Sequence, residues 1–121
     1  MSAAVDAEGR GVESPLASLA TALAEKASSD EPRRPASGYD AAAGRQQART
    51  FKRMANYASR LAGSDRDDVA VLSEFRAGLL DGARTAEDRA RRMDSHGAAA
   101  AERGRASALR AAAREAENRL E

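Results

Sequence analysis

The chain has no cysteine, no tryptophan and no isoleucine, and its 121 residues include only two phenylalanines, two tyrosines and one histidine. Without cysteine there are no disulfides and no thiolate chemistry. With His96 alone, no Cys/His metal set, nucleophile–base pair or catalytic triad can be assembled. No G-x-x-x-x-G-K loop is present to hold phosphate. The adjacent carboxylates Asp67/Asp68 and Glu87/Asp88 point in different directions around a helix, so neither pair can share a proton. These absences predict no enzyme, no cofactor, no metal and no small-molecule substrate. No apolar run is long enough to span a membrane, and residues 1–10 carry acids without an apolar stretch, so neither a span nor a secretory signal is expected. The expected location is cytoplasmic.

Hydrophobic residues make up 42% of the chain, but 31 of them are alanine. Leu, Val and Phe together contribute only 15 residues, below the level of about 20% that warns of disorder. The net charge of +1 lacks the self-repulsion that usually accompanies disorder. Abundant alanine with few β-branched or aromatic residues predicts an all-α protein. So few large apolar residues also make a thin core, and a second chain burying the same faces would supplement it. A homo-oligomer or a protein partner is therefore expected.

Residues 1–13 read as a disordered tail. Ser14-Pro15 supplies an N-cap and a proline at the first helical position. Leu16, Leu19 and Leu23 then recur at helical spacing, which predicts a short amphipathic helix over 14–28 that must dock somewhere to be stable. Residues 29–38 read as a linker containing Pro32 and Pro35, nominally a P-x-x-P ligand but more simply a spacer. A long antiparallel hairpin is predicted over 39–96. Its first helix ends at Gly63, and Ser64 caps the second with Asp67 as a shortened capping-box partner. Phe51, Met54, Leu72, Phe75 and Leu79 are expected to hold this hairpin together and, with Leu16, Leu19 and Leu23, to form the packing or oligomer face. Gly78 and Gly82, four residues apart, suggest close helix packing. The segment Asp94-Ser95-His96-Gly97 predicts a break or bend, and Gly104 a weak point in the charged, alanine-rich helix of 97–121. Its mixed acidic and basic residues, such as Glu115 with Arg119, read as a solvated surface.

Charge is distributed unevenly. Residues 39–62 carry a net +4, against −2 for 1–38, −2 for 63–80 and +1 for 81–121. Projected at about 100° per residue from Phe51, the residues Arg45, Arg49, Lys52, Arg53, Asn56 and Arg60 fall between roughly 100° and 200°, opposite the apolar arc. Two functions follow as expectations. The first is a non-catalytic, self-associating interaction or assembly protein, of the accessory kind found in phage, plasmid or multi-subunit assemblies. The second is a nucleic-acid-binding accessory protein whose basic arc meets phosphates, with Asn56, Gln46 or Gln47 available to base edges. A membrane-surface role is disfavoured, because the apolar face of this helix is mostly alanine.

Overall fold

The computed structural model describes residues 14–29, 38–64 and 67–120, so the tail of 1–13 and most of the linker, with its two prolines, lie outside the described residues. Four helices account for nearly all of what is described: α1 (Pro15–Ser29), α2 (Gly38–Ala62), α3 (Asp68–Arg92) and α4 (His96–Leu120). The all-α expectation holds. Ser14 caps α1 as its sequence implies, its hydroxyl accepting the Ala17 N–H at 3.1 Å. Gly63 and Ser64 close α2, their N–H groups donating to the carbonyls of Arg60 and Leu61. Ser64 is therefore part of a turn and does not cap α3, which begins after Asp67 without a side-chain cap bond. The break before α4 falls at 93–95, overlapping the expected segment 94–97 at Asp94 and Ser95. Ser95 caps α4, accepting the Ala98 N–H on its hydroxyl at 3.3 Å and the Ala99 N–H on its carbonyl at 3.0 Å. His96 and Gly97 belong to the first turn of the helix rather than to the break.

The packing differs from a simple α2/α3 hairpin. α4 is the common neighbour, lying against α3, α2 and α1, while α1 packs chiefly on α2. α2 and α3 are joined by a short connection but scarcely touch, meeting where the Tyr57 ring tilts toward Phe75 with centroids 5.3 Å apart. Cross-helix contacts fix the directions. Gln47 Nε2 donates to Ser107 Oγ at 3.2 Å and Gly104 faces Ala43, so α2 and α4 run the same way. Arg110 reaches Glu87 and Arg76 reaches Glu117, so α3 and α4 are antiparallel. α1 is likewise antiparallel to α4, with Arg119 Nε donating to Ser18 Oγ at 3.0 Å and Lys26 lying 3.7 Å from Glu115.

The reason α4 can serve three neighbours is its alanine. Its buried residues, Ala99, Ala100, Gly104, Ala106, Ala108, Leu109, Ala112, Ala113 and Ala116, cover about three-quarters of the circumference at 100° per residue. A helix with so little side-chain bulk on so many faces can be approached closely from several sides. Arg103, Arg110, Arg114 and Glu117 lie on the remaining strip, and several of the helix's charges are engaged rather than merely solvated. Arg110 donates two hydrogen bonds to Glu87, Nε to Oε2 at 2.8 Å and a terminal nitrogen to Oε1 at 2.6 Å. These bonds, opposed by partial desolvation and aided by the charges of Arg110 and Arg91, hold the Glu87 carboxyl below its ordinary value. The same pair raises Arg110.

The large apolar side chains gather toward one end. Leu16, Leu19 and Leu23 of α1 are fully buried, so this helix docks on its own chain. They join Phe51, Val71, Leu72, Phe75, Leu79 and Leu109 in one cluster. α1, with 15 residues against 25 in each of the others, is too short to cover the whole bundle. Beyond it, the opposite end is lined by Ala41, Ala86, Ala90, Ala99, Ala100 and Gly104, all buried. There α2 and α4 approach so closely that a Cβ on Gly104 would come within 2.8 Å of Ala43 Cα and clash with its carbonyl oxygen. Gly104 is thus a point of contact and not the weak point its helix propensity suggests.

Candidate functional site

Because α2 and α3 do not close on one another, an open cleft of about 370 Å³ remains between them, with α4 as its floor. Its walls are Met54, Tyr57 and Leu61 from α2 and Val71, Phe75 and Leu79 from α3, while Leu109 and Arg105 come up from α4. The cleft is apolar where it is deepest, and two glycines shape its α3 wall. A Cβ at Gly78 would meet nothing within 4 Å, whereas one at Gly82 would lie 3.2 Å from Leu109. The expected helix-packing role therefore fits Gly82 but not Gly78, which opens onto the cleft. Tyr57 is 44% exposed on the opposite wall, with the Arg60 guanidinium 5.9 Å from its ring centroid, within reach of a cation–π attraction.

The two rims of the cleft carry opposite charge. Arg60 rides over Tyr57, and Arg53, seven residues earlier, shares its side of α2. On α3, Glu74 borders the cleft and Asp81 follows seven residues later on the same outer side. All four are exposed. Both acids have partners within the chain, and Asp81 meets Arg84 at 3.1 Å in an exposed i,i+3 pair of the kind that contributes little.

The six residues of the basic arc, Arg45, Arg49, Lys52, Arg53, Asn56 and Arg60, are all exposed on α2. They form a stripe about 22 Å long at 1.5 Å per residue. Among the described residues, none of its five cations has a carboxylate within 4.0 Å. Six of the ten arginines of α3 and α4, Arg76, Arg84, Arg91, Arg92, Arg110 and Arg119, are in ion pairs. Gln47, expected to be available to a ligand, is instead bonded to Ser107.

Of the residues expected in the packing face, Leu16, Leu19, Leu23, Phe51, Leu72, Phe75 and Leu79 are buried. Met54 is half-buried and lines the cleft. Reading the sequence alone missed the cleft residues Tyr57, Leu61, Glu74, Gly78 and Arg105 as a group. The available signal was Tyr57, a large aromatic at the edge of a polar arc where a solvated helix has no use for one. Among the described residues no helix is long and apolar enough to cross a membrane, and no cluster of His, Cys, Asp or Glu is placed to hold a metal. No protein-family model, curated protein or solved structure matches the chain.

Proposed function

We propose that this chain is a non-catalytic assembly protein that self-associates through the cleft between α2 and α3. The observation that carries this reading is the missing α2/α3 interface. Two long helices joined by a short connection meet chiefly where Tyr57 tilts toward Phe75, and leave Met54, Tyr57 and Leu61 lining an open cleft with Val71, Phe75 and Leu79. Covering that apolar surface is favourable at roughly 25 cal/mol per Å² removed from water. A second copy suits the cleft because it brings its own half-buried Met54 and Leu61 and exposed Tyr57 to cover the same residues here. A chain with no cysteine and a single histidine fits a role in binding better than one in catalysis.

The test is sedimentation equilibrium from about 1 μM to 1 mM, the range in which modest interfaces saturate. The native chain is expected to shift from one to two copies with concentration. Gly78→Leu adds bulk beside the cleft from a position where the new Cβ meets nothing within 4 Å, so it should stay folded and monomeric. A native chain that is monomeric throughout overturns the reading.

The unpaired cations of α2 favour a second reading, contact with a nucleic-acid backbone. Such binding weakens with salt by about 0.9 in log affinity per phosphate contact for each log unit of salt. Arg45→Glu combined with Arg49→Glu should abolish a salt-sensitive shift of duplex DNA or RNA. If the native chain produces no shift at low salt, this second reading fails.

A further inference from the structure

Self-association covers the apolar walls of the cleft but does not account for the arginine at its inner end. We infer that the cleft binds a small amphipathic anion, a carboxylate on an unbranched alkyl chain, with the carboxylate held by Arg105 and the chain lying between α2 and α3.

Arg105 differs from the other arginines around it. Of the four on α3 and α4 that are not in ion pairs, Arg89, Arg103 and Arg114 are exposed, whereas Arg105 is half-buried. Projected around α4 it falls between Ala112 and Ala116, both buried, on the arc that faces the other helices. Among the described residues no carboxylate lies within 4.0 Å of it. A guanidinium withdrawn from water without a counter-charge is disfavoured, and an anion that reaches it relieves that cost.

The place of Arg105 in the cleft follows from α4. A Cβ on Gly82 would meet Leu109 at 3.2 Å, and Arg105 precedes Leu109 by about one turn on a helix antiparallel to α3. Arg105 therefore stands at the end of the cleft near and beyond Gly82. Glu74, which already has a partner within the chain, lies toward the other end, about 12 Å along α3 from Gly82.

Shape selects the rest of the ligand. From Val71 to Gly82 the α3 wall runs about 16 Å. A volume of about 370 Å³ over that length makes the cleft long and narrow, and it falls within the range of clefts that hold small molecules. Gly78 keeps this space open. A Cβ there would meet nothing within 4 Å, so packing within the chain gives no reason for a glycine that weakens the helix. One guanidinium matches one carboxylate, planar and singly charged, in a bidentate pair. The alkyl chain then runs past Leu79 and Phe75 toward the exposed ring of Tyr57. A ligand so placed covers the walls that a second copy would use, so the two compete, but its binding does not depend on self-association.

Calorimetry with octanoate and 1-octanol tests the assignment, at concentrations where the native chain sediments as one copy. The native chain should bind octanoate at one site, about tenfold more tightly than 1-octanol, the margin expected of a hydrogen bond to a charged group. Decanoate should bind more tightly still, by about fourfold for each added methylene. Arg105→Gln should bring the two eight-carbon ligands within about twofold of one another, while Arg105→Lys keeps most of the preference. Circular dichroism checks that both variants keep their helices. Arg60→Gln, on the exposed rim, should leave the preference unchanged. Three results overturn the assignment: no saturable binding to the native chain, equal affinity for octanoate and 1-octanol, or a preference that survives Arg105→Gln. A native chain that never dimerises yet prefers octanoate overturns self-association and supports the ligand site.

Discussion

The two ends of the bundle are stabilised by opposite means. At the α1 end, Leu16, Leu19, Leu23, Leu72 and Val71 are essentially inaccessible and fill the space between helices with side-chain volume. At the other end Ala41, Ala43, Ala86, Ala90, Ala99, Ala100 and Gly104 leave almost no volume, and α2 and α4 come together backbone to backbone. One end depends on bulk being present and the other on its being absent. A residue's contribution here therefore follows from the distance its helices must keep, more than from its hydrophobicity.

That contrast can be broken from either side. The largest effect is expected at the leucine end. Leu72→Ala should cost about 2–5 kcal/mol, with a matching fall in thermal midpoint, because the cavity it leaves is enclosed by α1, α3 and α4 residues. Next comes the alanine end, where addition is the damaging change. Gly104→Ala should destabilise by about 1–3 kcal/mol as α2 and α4 are forced apart, despite the roughly 1 kcal/mol that alanine gains over glycine in an open helix. Denaturant midpoints would check the sign, and a more stable Gly104→Ala chain would show that the close approach is not there. Gly78→Ala sharpens the point from the cleft. With nothing near its added methyl, it should stabilise the folded chain by about 0.5–1 kcal/mol, and equal responses at the two glycines would erase the distinction.

The smallest effect concerns the Glu87–Arg110 bridge, which ties α3 to α4. Glu87 titrates lower in the folded chain than it would unfolded. Its contribution is thus present above the ordinary carboxylate value and is lost as pH falls through the lowered folded value. The difference in thermal midpoint between native and Glu87→Gln chains should be level near neutrality and vanish in acid. A difference that persists at low pH would assign the effect to packing instead.

Much of this was legible in the sequence where side chains are large. Ser14-Pro15 marks the start of α1, and the spacing of Leu16, Leu19 and Leu23 marks the face it buries. Phe51, Leu72, Phe75 and Leu79 likewise identify themselves by size and period. The pairing of helices was not legible, because it is decided by residues that carry little pattern. Ala41 to Ala43, Ala98 to Ala101 and Gly104 resemble low-complexity filler with a poor helix former, yet they set the α2/α4 approach that moves α2 away from α3. The cleft follows from that displacement. No periodicity along α2 or α3 alone could disclose it, since it depends on where a third helix inserts. The basic arc, by contrast, needed only a projection of one helix, and its residues are all exposed.

The central place of α4 has a consequence for the order in which the structure can form. As the chain emerges from its N-terminal side, α1 can settle on α2, but α2 and α3 follow with little to offer one another. Only after residue 96 is available does either meet its main neighbour, and the Ala43–Gly104 approach closes a loop of about 60 residues, a non-local contact that costs chain entropy before any packing is gained. Until then Tyr57, Phe75 and their neighbours remain open to any chain that presents a helix, including another copy still being made.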